Sequence, residues 1–273
     1  MSKKHHLPFW HAFKPETSYD ISRLHPAIWP KRLRFETEID VNNESVRSAS
    51  LLRSGNGDQQ GLADELDECR AGDVRCNLPA CPICSRAFRR WFTAELLRVT
   101  EHKDDATTLT ILLKKAPRGQ LSELNLAACR DLLRKRVQRN GLNDIPVIGG
   151  FEVAYQDQAW ILHAHLVIID AQEEAIENFK ATFENSQLQR PTFEASLKDR
   201  PKQLSYLLKF GTYHRPFQQI GPGKSPAKPL NPPEHRELVQ WMSGYKFTDF
   251  LFLSGARRFG SEIRLKADDQ PAA

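Results

Sequence analysis

Two histidines one residue apart, His163 and His165, lie in an apolar run that extends from Trp160 to Ile169. The run predicts a buried β-strand, and residues two apart on a strand point to the same face of the sheet. Both imidazoles would therefore point the same way, as two ligands of one divalent metal ion do. Taken alone, such a pair is more often two histidines that pack in a core.

A third candidate ligand, Glu152, belongs to the preceding strand, which we predict between Pro146 and Tyr155. A polar turn at residues 156–158 separates it from the histidine strand, so the two strands should pair as a hairpin. The Glu152 carboxylate would then approach both imidazoles. Two imidazoles and one carboxylate leave open positions for substrate oxygens around Mg²⁺ or Mn²⁺. The alternative is that Glu152 is an exposed strand residue.

A tyrosine and a lysine, Tyr206 and Lys209, follow about forty residues later in a predicted helix, residues 202–213. At positions i and i+3 they would lie side by side on one helical face. A phenol can attack phosphorus, and an adjacent ammonium group would steady the phosphate. The alternative is an amphipathic surface pair. Tyr213, on nearly the same helical face, is a candidate second nucleophile, although a packing or surface role is its default interpretation.

Four of the five cysteines lie within sixteen residues, at positions 69, 76, 81 and 84. Cys81 and Cys84 flank a turn that Pro82 tightens, and two thiolates at this spacing can bind one tetrahedral Zn²⁺. Cys69 and Cys76 would complete the four-fold coordination. Because four thiolates leave no open position, we predict a structural zinc site. The fifth cysteine lies in a predicted helix and is expected to be a core residue.

The chain has 273 residues and a formal net charge of +5. It has no run of eighteen apolar residues and no apolar N-terminal signal, so we expect a cytoplasmic, reduced protein without a membrane span. Between residues 86 and 139 there are thirteen Lys and Arg against six Asp and Glu, which suits a polyanionic partner such as DNA. The candidate DNA contacts are Arg86, Arg89, Arg90, Arg134, Lys135, Arg136 and Arg139.

The spacing of apolar and turn residues also predicts the elements around these groups. We expect helices at 85–100 and 122–140, and strands at 106–113 and 192–197. A further helix should begin at Asp170 as its N-cap, with Glu173 completing a capping box. The last helix is expected at 234–254.

Three segments in this order resemble the motifs of HUH endonucleases, specifically the replication initiator (Rep) proteins of rolling-circle plasmids and related mobile elements. They are the strand segment 107–111, His163-Ala164-His165, and the segment from Tyr206 to Lys209. A Cys-Pro-x-Cys cluster before a basic helix is also similar to bacterial and archaeal members. The likeness covers about residues 69–260. It departs from the usual pattern in the small middle residue Ala164 and in the presence of a single tyrosine in the third motif.

The resemblance implies an α+β fold, with a ferredoxin-like, RRM-related antiparallel sheet and helices packed on it, preceded by the small cysteine zinc module. It also implies that the substrate is a DNA origin in single-stranded or hairpin form. Tyr206 would attack a phosphate of one strand and form a 5′-phosphotyrosine and a free 3′-OH. A 3′-OH could later attack the phosphotyrosine and rejoin the strand. The catalytic ion, Mg²⁺ or Mn²⁺, would be held by His163, His165 and Glu152. A host helicase and polymerase would be partners, since the chain has no Walker-type nucleotide loop.

These expectations divide the chain into six parts. They are a partly irregular N-terminal arm (1–68), the zinc module with its basic helix (69–100), the nuclease domain (101–215), a Pro/Gly-rich linker (216–233), a C-terminal helical element (234–265) and a disordered tail (266–273). Two alternatives stay open at this point. One is a relaxase or single-strand transposase with the same chemistry, and the other is a non-catalytic, zinc-containing regulator that binds DNA.

Overall fold

The computed structural model describes residues 37–72, 74–184, 191–214 and 228–266. In these segments the fold is α+β, with seven α-helices and a five-stranded antiparallel sheet. The expected α+β class and antiparallel sheet are confirmed, and the ferredoxin-like, RRM-related arrangement stays a prediction. The elements in chain order are α1 (Glu38–Arg53), α2 (Gly57–Ala71), α3 (Pro82–Thr100), β1 (Ala106–Pro117), α4 (Leu126–Arg139), β2 (Val147–Gln156), β3 (Ala159–Ile169), α5 (Glu173–Ala181), β4 (Thr192–Ser196), α6 (Arg200–Leu204), β5 (Tyr213–His214), β6 (Lys228–Pro229), α7 (Pro232–Ser243), β7 (Leu251–Ser254), β8 (Ala256–Phe259) and β9 (Glu262–Leu265).

The sheet has the strand order β4-β1-β3-β2-β7, and every neighbouring pair is antiparallel. The predicted hairpin of β2 and β3 is confirmed. Its two-residue turn consists of Asp157 and Gln158, whose φ angles are 50° and 61°. Two consecutive residues in the left-handed region match the right-handed twist of the flanking strands. This tight turn sets the register in which Gln156 pairs with Ala159.

Apolar side chains are buried on both faces of the sheet, and the two histidines share their face with Val167 and Ile169. Side chains alternate along β3, so Leu162, Ala164 and Leu166 are buried on one face, while His163 and His165 lie on the other. Beyond this sheet, α4 lies against the turn that follows α5, because the guanidinium carbon of Arg136 lies 4.1 Å from the centroid of the Phe183 ring. The apolar core therefore anchors the strand that carries both histidines.

The prediction of an irregular arm is wrong for residues 37–68, most of which belong to α1 and α2. Helix α1 begins with a capping box, in which Thr37 Oγ1 accepts a hydrogen bond from Asp40 N and the Asp40 carboxylate accepts one from Thr37 N. The buried face of α1 includes Ser45 and Ser48, so its apolar periodicity is weak in the sequence. The rest of the predicted arm, 1–36, lies outside the described residues.

The predicted C-terminal helical element is also partly wrong. Helix α7 ends at Ser243, and the chain then forms β7, which pairs with β2 at the edge of the sheet, and the β8–β9 hairpin. The apolar sequence of β7 is compatible with either structure, and pairing with β2 decides between them. The described part of the predicted linker contains β6 and the start of α7. Residues 215–227 and 267–273, which include most of the linker and the tail, lie outside the described residues.

The predicted cap at Asp170 is wrong as well. The N-cap of α5 is Gln172, while the backbone of Asp170 is left-handed, with a φ of 57°. The Asp170 carboxylate instead pairs with Lys103 Nζ at 2.8 Å.

None of the helices in the described segments has the length and apolar composition that crossing a bilayer requires.

Candidate functional site

One face of the sheet brings the predicted histidines and glutamate together. Glu152 of β2 lies opposite His163 of β3 in the strand register. His165 Nε2 donates a hydrogen bond to Glu152 Oε2 at 2.8 Å, and His165 Nδ1 accepts one from the Thr110 hydroxyl of β1 at 2.9 Å. The two imidazole centroids are 5.7 Å apart. The strands on both sides of β3 therefore orient His165.

The segment with Tyr206 differs from the predicted helix 202–213. Helix α6 ends at Leu204, and the chain continues through tight turns in which Tyr206 N donates to Gln203 O at 3.1 Å. Leu207 and Leu208, which follow the end of this helix, are both buried. We call residues 205–209 the tyrosine loop. Because the helix is so short, the argument that Tyr213 shares a helical face with Tyr206 no longer applies, and Tyr213 lies in β5.

The tyrosine loop places its two functional side chains against the histidine face. The Tyr206 ring meets the His165 ring edge to face, with centroids 5.6 Å apart, and 45% of Tyr206 is exposed. Lys209 Nζ lies 2.8 Å from the centroid of the Tyr206 ring and 3.4 Å from Glu152 Oε2. A phenol, an ammonium group, a carboxylate and two imidazoles thus share one surface.

Gly150 allows the tyrosine loop to approach the sheet at this point. It pairs with His165 across the strands, and a Cβ atom on it would lie 2.6 Å from Leu208 Cδ1 and 2.9 Å from Leu207 O. These distances are shorter than ordinary van der Waals contact, so a side chain here would displace the loop. The sequence analysis missed this residue. Its signal is a Gly-Gly pair inside a strand, which marks a close approach of another backbone.

Gly150→Ala is therefore expected to lower the free energy of unfolding by about 1–3 kcal/mol and to speed amide hydrogen exchange in the tyrosine loop. Gly211→Ala is the matched control, because no atom lies within 4 Å of a Cβ built at Gly211. Urea denaturation and hydrogen-exchange mass spectrometry measure both effects. Equal behaviour of the two variants would show that the loop does not rest on Gly150.

The charges on this face are set by burial and by close pairing. Burial raises the pKa of the Glu152 carboxyl, but the Lys209 ammonium and the His165 hydrogen bond outweigh it and hold that pKa well below its usual range. Burial lowers the pKa of His163 to about 4, so its imidazole is neutral at pH 7. His163 Nε2 is buried and has no hydrogen-bond partner among the described residues. A buried polar atom without a hydrogen-bond partner lowers the stability of the fold, unless it binds a ligand, an ion or a water molecule.

The four predicted zinc ligands form a compact cluster. The Sγ atom of Cys84 lies 3.6 Å from that of Cys69 and 3.8 Å from that of Cys76, and the Sγ atoms of Cys69 and Cys81 are 3.7 Å apart. Sulfurs at about 2.3 Å from a tetrahedral Zn²⁺ are about 3.8 Å apart. The separations are too long for disulfides, and all four cysteines are free. This cluster could bind a metal ion such as zinc.

Within the described ranges, the cysteine cluster is the one place where three or more potential ligand atoms converge. The ligand atoms of His163, His165 and Glu152 are not gathered in this way. Glu152 Oε2 is shared by His165 and Lys209. The catalytic Mg²⁺ or Mn²⁺ stays a prediction.

The predicted DNA contacts differ in accessibility. Arg134, Lys135 and Arg139 are exposed on α4, while Arg136 is half-buried against Phe183. The other three lie on α3, where Arg86 and Arg90 are half-buried and Arg89 is buried.

Arg89 connects the cysteine module with the tyrosine loop. Its Nε donates a hydrogen bond to Leu208 O at 3.0 Å, and α3, which carries it, begins at Cys81 as its N-cap. A buried guanidinium in this position cannot reach a DNA phosphate without leaving the loop. The loop is therefore held by Arg89 from α3 and rests on Gly150 of β2.

Comparison with known proteins identifies no relative. No protein-family model, no curated protein and no solved structure matches the chain. The function has to be inferred from the geometry of the site itself.

Proposed function

We propose that this protein cleaves one strand of DNA through Tyr206 and later rejoins it, as an initiator of rolling-circle replication. The observation that supports this most is the convergence, on one sheet face, of an exposed phenol with the ammonium of Lys209, the carboxylate of Glu152 and the two imidazoles. Residues so far apart in sequence meet there through the strand register and the tyrosine loop. The resemblance to the HUH Rep proteins gives this arrangement its chemical interpretation.

In the proposed reaction the Tyr206 oxygen attacks the scissile phosphorus. The Tyr206 O–P bond forms as the P–O3′ bond breaks, the phenol loses its proton, and the departing oxygen takes up a proton to give a free 3′-OH. The product is a 5′-phosphotyrosine. One phosphodiester replaces another, so a 3′-OH can reverse the step and rejoin the strand. The free 3′-OH is also a primer for a polymerase.

Lys209 and the candidate metal ligands would stabilise charge on the phosphate. His163, His165 and Glu152 would hold Mg²⁺ or Mn²⁺, which when bound offsets charge on the non-bridging oxygens. The neutral imidazole of His163, whose Nε2 has no hydrogen-bond partner in the described part of the chain, and the anionic Glu152 suit this role. The Lys209 ammonium, which now neutralises Glu152, would then pair with the phosphate.

The remaining features are assigned supporting roles in this proposal. The cysteine cluster would hold a structural Zn²⁺ and fix α3. DNA would lie along basic side chains, and each phosphate that they contact would steepen the salt dependence of the affinity. The candidates that are exposed or half-buried are Arg86, Arg90, Arg134, Lys135, Arg136 and Arg139.

The wild-type protein is therefore expected to form a covalent adduct with single-stranded DNA. A labelled library of randomised single strands and hairpins, incubated with added Mg²⁺ or Mn²⁺, should yield a species that survives denaturing electrophoresis. Omission of both ions should reduce its yield strongly. If the protein binds the library but no divalent ion elicits cleavage, the alternative of a non-catalytic, zinc-containing regulator is favoured.

A further inference from the structure

A large aromatic side chain, Phe193, lies in the same row of the sheet as the candidate site. Phe193 of β4 pairs with Thr110 of β1, and Thr110 pairs with His165 of β3. Residues paired across a sheet point to the same face, so all three side chains share the site face. Two strand spacings separate Phe193 from His165, a distance of about 10 Å. The row therefore begins beside Tyr206 and ends at Phe193.

Phe193 is the apolar end of this row and is open to solvent. Its side chain is 69% exposed, although it lies on an ordered strand of the sheet. Its neighbour Glu194 points to the opposite face, where its carboxylate pairs with Lys180 Nζ at 2.7 Å. The alternation of β4 thus puts the charged residue towards the helices and the aromatic residue on the site face. A single exposed aromatic ring is ordinary on a protein surface, and what distinguishes Phe193 is its place in the row that leads to His165 and Tyr206.

The surface between Phe193 and the candidate site carries short polar side chains. Thr108 and Thr110 form it, and both are half-buried. The Thr110 hydroxyl bonds His165, and the Thr108 hydroxyl donates to Ala195 O at 2.9 Å. Gln203 Nε2 also reaches the Thr108 hydroxyl, at 3.4 Å, so its side chain covers that end of the surface. In the row itself, only the short side chain of Thr110 lies between His165 and Phe193.

We propose that Phe193 stacks on an unpaired base of the DNA strand, next to the phosphate that Tyr206 attacks. The inference rests on the proposed function and adds to it a side chain that would hold one base of the substrate. Only an unpaired base can turn its flat face onto a side chain of the sheet, because in a duplex the bases stack on each other. Every base has such a face, so this contact adds affinity without selecting a sequence.

The test compares Phe193→Ala with Phe259→Ala, both in a Tyr206→Phe background in which no chemistry occurs. Phe259 is 57% exposed and lies on β8, outside the five-stranded sheet. Its replacement therefore removes an exposed ring of the same size away from the candidate site. Fluorescence anisotropy with a single-stranded oligonucleotide should show about ten-fold or greater weakening for Phe193→Ala. Phe259→Ala should stay within about two-fold of its parent, and Phe193→Trp should restore affinity by supplying another stacking ring.

Two further readouts separate stacking from other roles of the ring. A 2-aminopurine base near the scissile position should be quenched by the parent and by Phe193→Trp, but not by Phe193→Ala. Sedimentation should give the same oligomeric state for all variants. Equal weakening by Phe193→Ala and Phe259→Ala, or a dimer that only Phe193→Ala dissociates, would overturn the proposal. If stacking is observed while the wild-type protein forms no adduct, the contact between Phe193 and a base is supported and the proposed strand cleavage is contradicted.

Discussion

Tyr206→Phe is expected to abolish strand cleavage and the covalent adduct, with a loss on the order of 10³-fold or more, because it removes the attacking oxygen. The phenylalanine ring can keep the edge-to-face contact with His165 and the contact with Lys209. DNA affinity and the free energy of unfolding should therefore change little. Denaturing electrophoresis measures the adduct, and anisotropy with the same oligonucleotide measures binding.

Tyr213→Phe is the matched control for this loss. Tyr213 is 49% exposed, against 45% for Tyr206, and it follows Lys209 by only four residues. The substitution removes a hydroxyl of the same kind from the neighbouring β5 strand, and full adduct formation is expected to persist. Persistence of the adduct in Tyr206→Phe and its absence in Tyr213→Phe would reverse the assignment. Persistence in both would exclude either tyrosine as the sole nucleophile.

Cys81→Ser is expected to have the largest effect on stability. Cys81 is fully buried and is the N-cap of α3, so loss of its sulfur should empty the four-sulfur site and release the start of that helix. Structural zinc binds zinc-finger peptides with apparent free energies of about 10–16 kcal/mol, so a loss of several kcal/mol is expected. Because thiolates bind the metal, zinc content should also fall as the pH is lowered.

Metal analysis and urea denaturation check this prediction, with Cys129→Ser as the control. Cys129 is a buried cysteine on α4 outside the cluster, so its replacement should leave the zinc content unchanged and cost about 1–3 kcal/mol for an unpaired buried hydroxyl. Through Arg89, loss of zinc should also speed amide exchange in the tyrosine loop. A Cys81→Ser protein that retains one equivalent of zinc would contradict the assignment of Cys81 as a ligand.

The parts of the site that follow from local rules can be predicted from the sequence. The period of two along β3 places His163 and His165 on one face, and the two-residue turn puts Glu152 opposite His163. The cysteine cluster follows from the Cys-x-x-Cys spacing at Cys81 and Cys84. In each case the residues that interact lie close in sequence, or a single hairpin joins them.

The parts that depend on distant contacts could not be predicted. The tyrosine loop leaves the helical path where Leu207 and Leu208 pack over Gly150, which is more than fifty residues earlier in the chain. The strand β7 forms because β2 offers a free edge, although its sequence also suits a helix. Arg89 was predicted to contact DNA from its charge, and only the fold shows that it bonds Leu208 O. Tertiary partners decide each of these cases.

The central claim is that Tyr206 becomes covalently linked to DNA, and peptide mass mapping of the adduct tests it most directly. Trypsin cuts after Lys202 and Lys209, so Tyr206 lies alone among tyrosines in the peptide 203–209, while the peptide with Tyr213 begins at Phe210. After nuclease trimming, we predict a nucleotide 5′-phosphate on peptide 203–209, with fragmentation placing it on Tyr206. A nucleotide on the peptide that begins at Phe210, on any other peptide, or on none would contradict the account.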